Sequence, residues 1–87
     1  MHKLMKPIRI VTWIDEQGNI NPVRFQVEGI AEERLIIKVE KVLQRNEEKI
    51  AGQRVINYRC RSIIADQLRQ YEICYELPTC RWYLSLW

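Results

Sequence analysis

Residues 30–52, IAEERLIIKVEKVLQRNEEKIAG, decide whether this chain is built of strands alone or of strands and a helix. Two periods compete in them. Leu35, Ile37 and Val39 recur at every second position among dense β-branched residues, which suits a strand. Leu35, Ile36, Val39, Val42 and Leu43 also line one side of a helix, in a composition that helices favour. The reading adopted is a long strand over residues 34–45, bent or bulged near Glu40 and Lys41, then a loop ending at Gly52. A helix within 30–50 stays open as the alternative.

The flanking segments carry a period of two, the mark of half-buried strands. In IRIVTWI (8–14) Ile8, Ile10, Thr12 and Ile14 share one face, and Arg9, Val11 and Trp13 the other. Turn chemistry follows at Gly18-Asn19. In VRFQVEG (23–29) Val23, Phe25 and Val27 alternate with Arg24, Gln26 and Glu28. VINYRCRSII (55–64) sets Ile56, Tyr58 and Cys60 against Asn57, Arg59 and Arg61. LRQYEICYEL (68–77) points Tyr71, Ile73, Tyr75 and Leu77 inward and Cys74 outward. In CRWYLSLW (80–87) Cys80, Trp82, Leu84 and Leu86 take the core face, leaving Arg81, Tyr83, Ser85 and Trp87 outside. About six strands joined by short turns predict an all-β, antiparallel meander, curved into an SH3-like small barrel or roll. Residues 1–87 read as one small β domain whose residues 1–6 form a mobile tail.

Bulk properties narrow the function. A chain of 87 residues buries only about 60–65% of its unfolded surface, so its stability margin is small. A formal charge of +3 is far below that of a protein that coats DNA. The charges are unevenly placed: residues 28–48 hold six acids against four bases, and residues 49–87 six bases against three acids. That makes part of the surface locally basic. No unbroken apolar run is long enough for a signal peptide or a membrane span, and three cysteines without a CxxC fit a reduced, cytoplasmic location.

Catalytic chemistry is poorly supplied. The one histidine is His2, no glycine-rich phosphate loop exists, and a cysteine nucleophile would lack a base in the body of the chain. Cys60, Cys74, Cys80 and His2 are too widely spaced to read as a zinc site. No enzyme, metal or cofactor is expected.

Binding is the remaining class. Outward Arg9 and Trp13, Arg24, Arg59 and Arg61, and Arg81 with Tyr83 form an arginine-plus-aromatic patch if their strands adjoin. Such a patch suits single-stranded nucleic acid, through stacking and phosphate contacts. Trp13, Tyr83 and Trp87 equally suit a protein partner or a homodimer, and the near-neutral charge favours that reading. The expected role is a binding module or accessory subunit, with nucleic acid as the alternative.

PIRIVTWIDEQGNINPVRFQVEG (7–29), IIKVEKVLQR (36–45), YRCRS (58–62) and YEICYELPTCRWYLSLW (71–87) together resemble a family of short uncharacterised bacterial proteins. That family shows a P-I-x-V opening, an R-F-x-x-x-G second strand and a Y-E-L…W-x-L ending. The resemblance implies a small β-barrel without catalytic residues, and related domains are linked with proteins resembling translesion DNA polymerases. NEEKIAG (46–52), Cys60 and Cys74 depart from the pattern.

Overall fold

The computed structural model describes residues 3–29 and 31–87, and in it the contested stretch forms two strands, 34–38 and 41–50, and no helix among the described residues. The described residues form eight strands: β1 (Lys3–Pro7), β2 (Arg9–Ile14), β3 (Ile20–Glu28), β4 (Arg34–Lys38), β5 (Lys41–Ile50), β6 (Gln53–Ile64), β7 (Gln67–Glu76) and β8 (Arg81–Leu86). They make two antiparallel sheets, one ordered β1-β8-β7-β6-β5 and one β2-β3-β4. Among the described residues no helix is long and apolar enough to cross a membrane.

The count is eight and not six because residues 3–7 add a strand ahead of the expected first one and the expected strand 34–45 divides into β4 and β5, each time with the chain changing sheet at a corner. At the first, the Ile8 amide donates to the Trp82 carbonyl of β8 (3.1 Å), while Arg9 already pairs with Gln26 of β3. At the second, the Val39 amide donates to Val23 (2.9 Å) and the next amide, Glu40, to Arg61 of β6 (3.1 Å). The bend expected near Glu40 and Lys41 is this corner. Because the chain turns sharply there, two stacked sheets replace the expected barrel, and the described residues form no closed barrel.

Three further differences have local causes. Residues 3–6, expected as a mobile tail, belong to β1 and pair with β8; Met1 and His2 lie outside the described residues. Asn46–Ile50, expected as loop, continue β5 and pair with β6 down to Ile50 opposite Gln53. β5 is an edge strand exposed along almost its whole length, and charged edge strands carry no apolar alternation to reveal them. Cys80, expected in the core, is exposed in the turn before β8 with φ at 57°.

The hairpin turns explain the register. Ala51 and Gly52 (φ 50° and 82°) join β5 to β6, and Ala65 and Asp66 (φ 51° and 62°) join β6 to β7. Two successive left-handed residues make the tight turn whose twist matches paired strands. Ala65 and Asp66 carry Cβ atoms that this conformation penalises by roughly 1 kcal/mol each. Ala65→Asn with Asp66→Gly is therefore expected to raise stability by about 1 kcal/mol in urea unfolding.

The core lies between the sheets. Phe25, Val27 and Ile37 from the smaller sheet meet Ile56, Tyr58, Cys60, Tyr71, Ile73, Trp82 and Leu84 from the larger. Tyr75 stacks on Trp82 with ring centroids 4.7 Å apart. Burial pushes the Cys60 thiol from 9.0 up to about 12, and also raises the Tyr71, Tyr58 and Cys74 groups. The unfolded thiol ionises near pH 9 while the folded one stays neutral, so this stability is complete below pH 9 and is lost towards pH 12. For Cys60 the expected slope is about 1.4 kcal/mol per pH unit between those two values. Urea midpoints measured from about pH 8 to 11 should fall, and less steeply in Cys60→Ala.

Candidate binding faces

The residues singled out as one arginine-plus-aromatic patch divide between opposite faces of the two-sheet stack. Arg9, Trp13 and Arg24 lie on the outer face of β2-β3-β4, where Arg9 is opposite Gln26, Val11 opposite Arg24, and Trp13 opposite Asn21. Arg59, Arg61, Arg81 and Tyr83 lie on the outer face of the five-stranded sheet, with β7 between them.

The second group is largely compensated. Arg59 bridges to Glu72 at 3.3 Å and Arg61 to Glu40 at 3.4 Å. Arg81 stands opposite Glu76 in register, and Tyr83 is half-buried opposite Cys74. Arg59 and Arg61 thus serve the sheet's own charge balance, while Arg81 makes no ion pair among the described residues.

Trp87 sits on neither outer face. Glu72 pairs with Leu86 while Ile73 pairs with Leu84, so Ser85 is an extra residue on β8. Its hydroxyl donates to the Glu72 carbonyl at 3.1 Å. One inserted residue reverses the facing of everything beyond it. Leu86, expected in the core, turns outward, and Trp87, expected outside, packs against Tyr71 with centroids 5.6 Å apart. The Arg69 guanidinium covers the indole at 3.8 Å. Trp87 therefore closes one end of the core.

The first group gains neighbours that the sequence pattern did not supply. β4 brings Lys38 directly opposite Arg24 and Ile36 opposite Gln26. Among the described residues, Arg9, Arg24 and Lys38 have no carboxylate within ion-pair distance. Trp13 is 56% exposed and Ile36 69% exposed, with Val11 also open to solvent. Arg9, Val11, Arg24, Gln26 and Ile36 surround a shallow depression of about 220 Å³. The signal for Ile36 was present: with Leu35 and Ile37 on one face, an isoleucine between them must point the other way. The signal for Lys38 was not, because its meeting with Arg24 depends on the β3–β4 register.

The three thiols are free and lie apart, Cys60 in the core, Cys74 under the outer face of the five-stranded sheet and Cys80 in a turn. Among the described residues no group of three or more His, Cys, Asp or Glu side chains is placed to hold a metal ion. No family model, curated protein or solved structure matches the chain.

Proposed function

We propose that the protein is a non-enzymatic binding module that engages a protein partner through the outer face of β2-β3-β4. The supporting observation is the opposition of Arg24 and Lys38 beside exposed Trp13, Val11 and Ile36. Like charges directly across a strand pair destabilise a sheet. A partner that brings carboxylates to Arg9, Arg24 and Lys38 while covering the apolar row turns that cost into binding energy. Trp and Arg are also the side chains that most often dominate interface energies. A symmetric homodimer through this face is disfavoured, because a two-fold axis would set the same cations against themselves.

The test is a comparison of wild-type and R9E/R24E protein as baits in extracts of the native host, at low and at physiological salt. The reading expects at least one acidic protein retained by the wild type at both salts and lost with the variant. Trp13→Ala should weaken that contact at least tenfold, about 1.4 kcal/mol or more. An identical set of retained proteins for both baits would sink the reading.

Nucleic acid is the second reading, because the same three cations and Trp13 combine phosphate contacts with one stacking surface. Single-strand platforms stack successive bases on several aromatic rings, whereas among the described residues this face carries Trp13 alone. Anisotropy of labelled oligonucleotides should therefore show no affinity tighter than about 10 μM at physiological salt. Submicromolar binding that collapses with salt would put this reading first.

A further inference from the structure

The opposite side of the molecule carries a depression that the reading above does not use. It is about 620 Å³, and it crosses the outer face of the five-stranded sheet from Ile50 on β5 to Met5 on β1. Its floor is apolar where an outward face is ordinarily polar: Val55 and Cys74 are each only 5% exposed although they point away from the core. Leu86, turned outward by the Ser85 bulge, continues this floor on β8. Met5 and Ile50, both more than half exposed, stand at its two ends.

Among the described residues the charges lining it have one sign: Glu48, Glu72 and Glu76 line the depression, and no described Lys or Arg does. In register, Glu48 and Glu76 flank Val55 on its two neighbouring strands. Both carboxylates are steered by neutral donors, Glu48 by the Asn57 amide and Glu76 by the Thr79 hydroxyl at 3.0 Å. Arg81 is the cross-strand neighbour of Glu76 but makes no ion pair with it among the described residues. Glu72 alone is already paired, with Arg59. Two oriented, uncompensated carboxylates thus stand on either side of a buried valine.

The geometry points to a docking groove for a short extended segment of a partner protein, in which a Lys or Arg lies between aliphatic residues. The stem of the cation lies along Val55 with its head between Glu48 and Glu76, since long basic side chains bury their methylenes and keep the charge outside. Aliphatic neighbours two residues away cover Cys74, Leu86 and Met5. Five strands at about 4.8 Å spacing give the groove a length of roughly 19 Å, which about six extended residues span. Recognition is by side chains, because the ladder bonds of β6, β7 and β8 are engaged within the sheet and leave no edge beneath the groove.

Random heptapeptides displayed on phage, panned on the wild-type protein and counter-selected on E48Q/E76Q, test this directly. Enriched sequences should carry Lys or Arg flanked by aliphatic residues. The synthetic consensus peptide should bind at least about tenfold more weakly to E48Q/E76Q, and R9E/R24E should leave its affinity unchanged. Amide shifts on titration should map to Val55, Cys74 and Leu86. No enrichment over the counter-selection, or enrichment of cation-free or acidic peptides, overturns the proposal. So does a carboxylate-dependent self-association in sedimentation, which would make a second copy the occupant. Because R9E/R24E affects only the other face, failure here and failure of the β2-β3-β4 reading are separable.

Discussion

Tyr71→Ala should lower the stability of the fold by about 3–5 kcal/mol. Tyr71 is fully buried, with its ring 5.5 Å from Phe25 and 5.6 Å from Trp87. Its hydroxyl lies 2.6 Å from the Ser62 hydroxyl, which donates to the Lys38 carbonyl at 2.7 Å. That chain of bonds ties β7 and β6 to β4 beside the corner where the backbone changes sheet. Removing a buried aromatic ring costs about 3–5 kcal/mol. A domain of this length has about 4–13 kcal/mol in all, so the truncation removes a large share of it. Tyr71→Phe keeps the ring and loses one hydrogen bond, while Ser62 still donates to Lys38. Its cost should be about 1 kcal/mol. Urea unfolding followed by tryptophan fluorescence separates the two, and a cost below about 1 kcal/mol for Tyr71→Ala would mean that the sheets are not packed on this ring.

R9E/R24E should reduce partner binding by at least about a hundredfold while leaving the fold as stable as before or slightly more so. Two charges reversed at the centre of an interface turn attraction into repulsion and cost about 3 kcal/mol or more. The folded chain responds in the other direction. Reversing the charge at position 24 sets it against Lys38 as an opposite-charge pair, favourable by a few tenths of a kcal/mol over the like-charge pair it replaces. A surface that gains stability when its binding residues are removed is one where function overrides local stability. Thermal unfolding and a binding titration on one preparation read both halves. Loss of stability with binding unchanged would assign Arg9 and Arg24 to the structure.

The period of two placed the inward faces of β3, β6 and β7 correctly: Phe25, Val27, Ile56, Tyr58, Cys60, Tyr71 and Ile73 are all buried. Alternation was legible because each of these strands has one face on the core. What it cannot carry is any event that changes the count. The Ser85 bulge exchanges Leu86 and Trp87, and nothing in LSLW distinguishes that from an unbroken strand. The corner at Val39-Glu40 splits the expected strand 34–45 with no glycine or proline to mark it, and the corner at Ile8 leads to β1, in residues expected as a tail. The candidate site suffered most, because a patch depends on which strands adjoin. Arg9, Trp13 and Arg24 were found from facing alone and do share a sheet. Arg59, Arg61, Arg81 and Tyr83 face outward as read, but from the other side of the molecule.

The most direct test of the central proposal is site-specific photo-crosslinking in the native host, with the probe placed at position 36 or at position 63. Ile36 and Ile63 are equally open, at 69% and 65%, but lie on the outer faces of different sheets. A discrete protein adduct that disappears with R9E/R24E is expected from position 36, and no such adduct from position 63. Adducts from position 63 alone, equal labelling from both positions, or nucleic acid as the captured species would contradict the proposal.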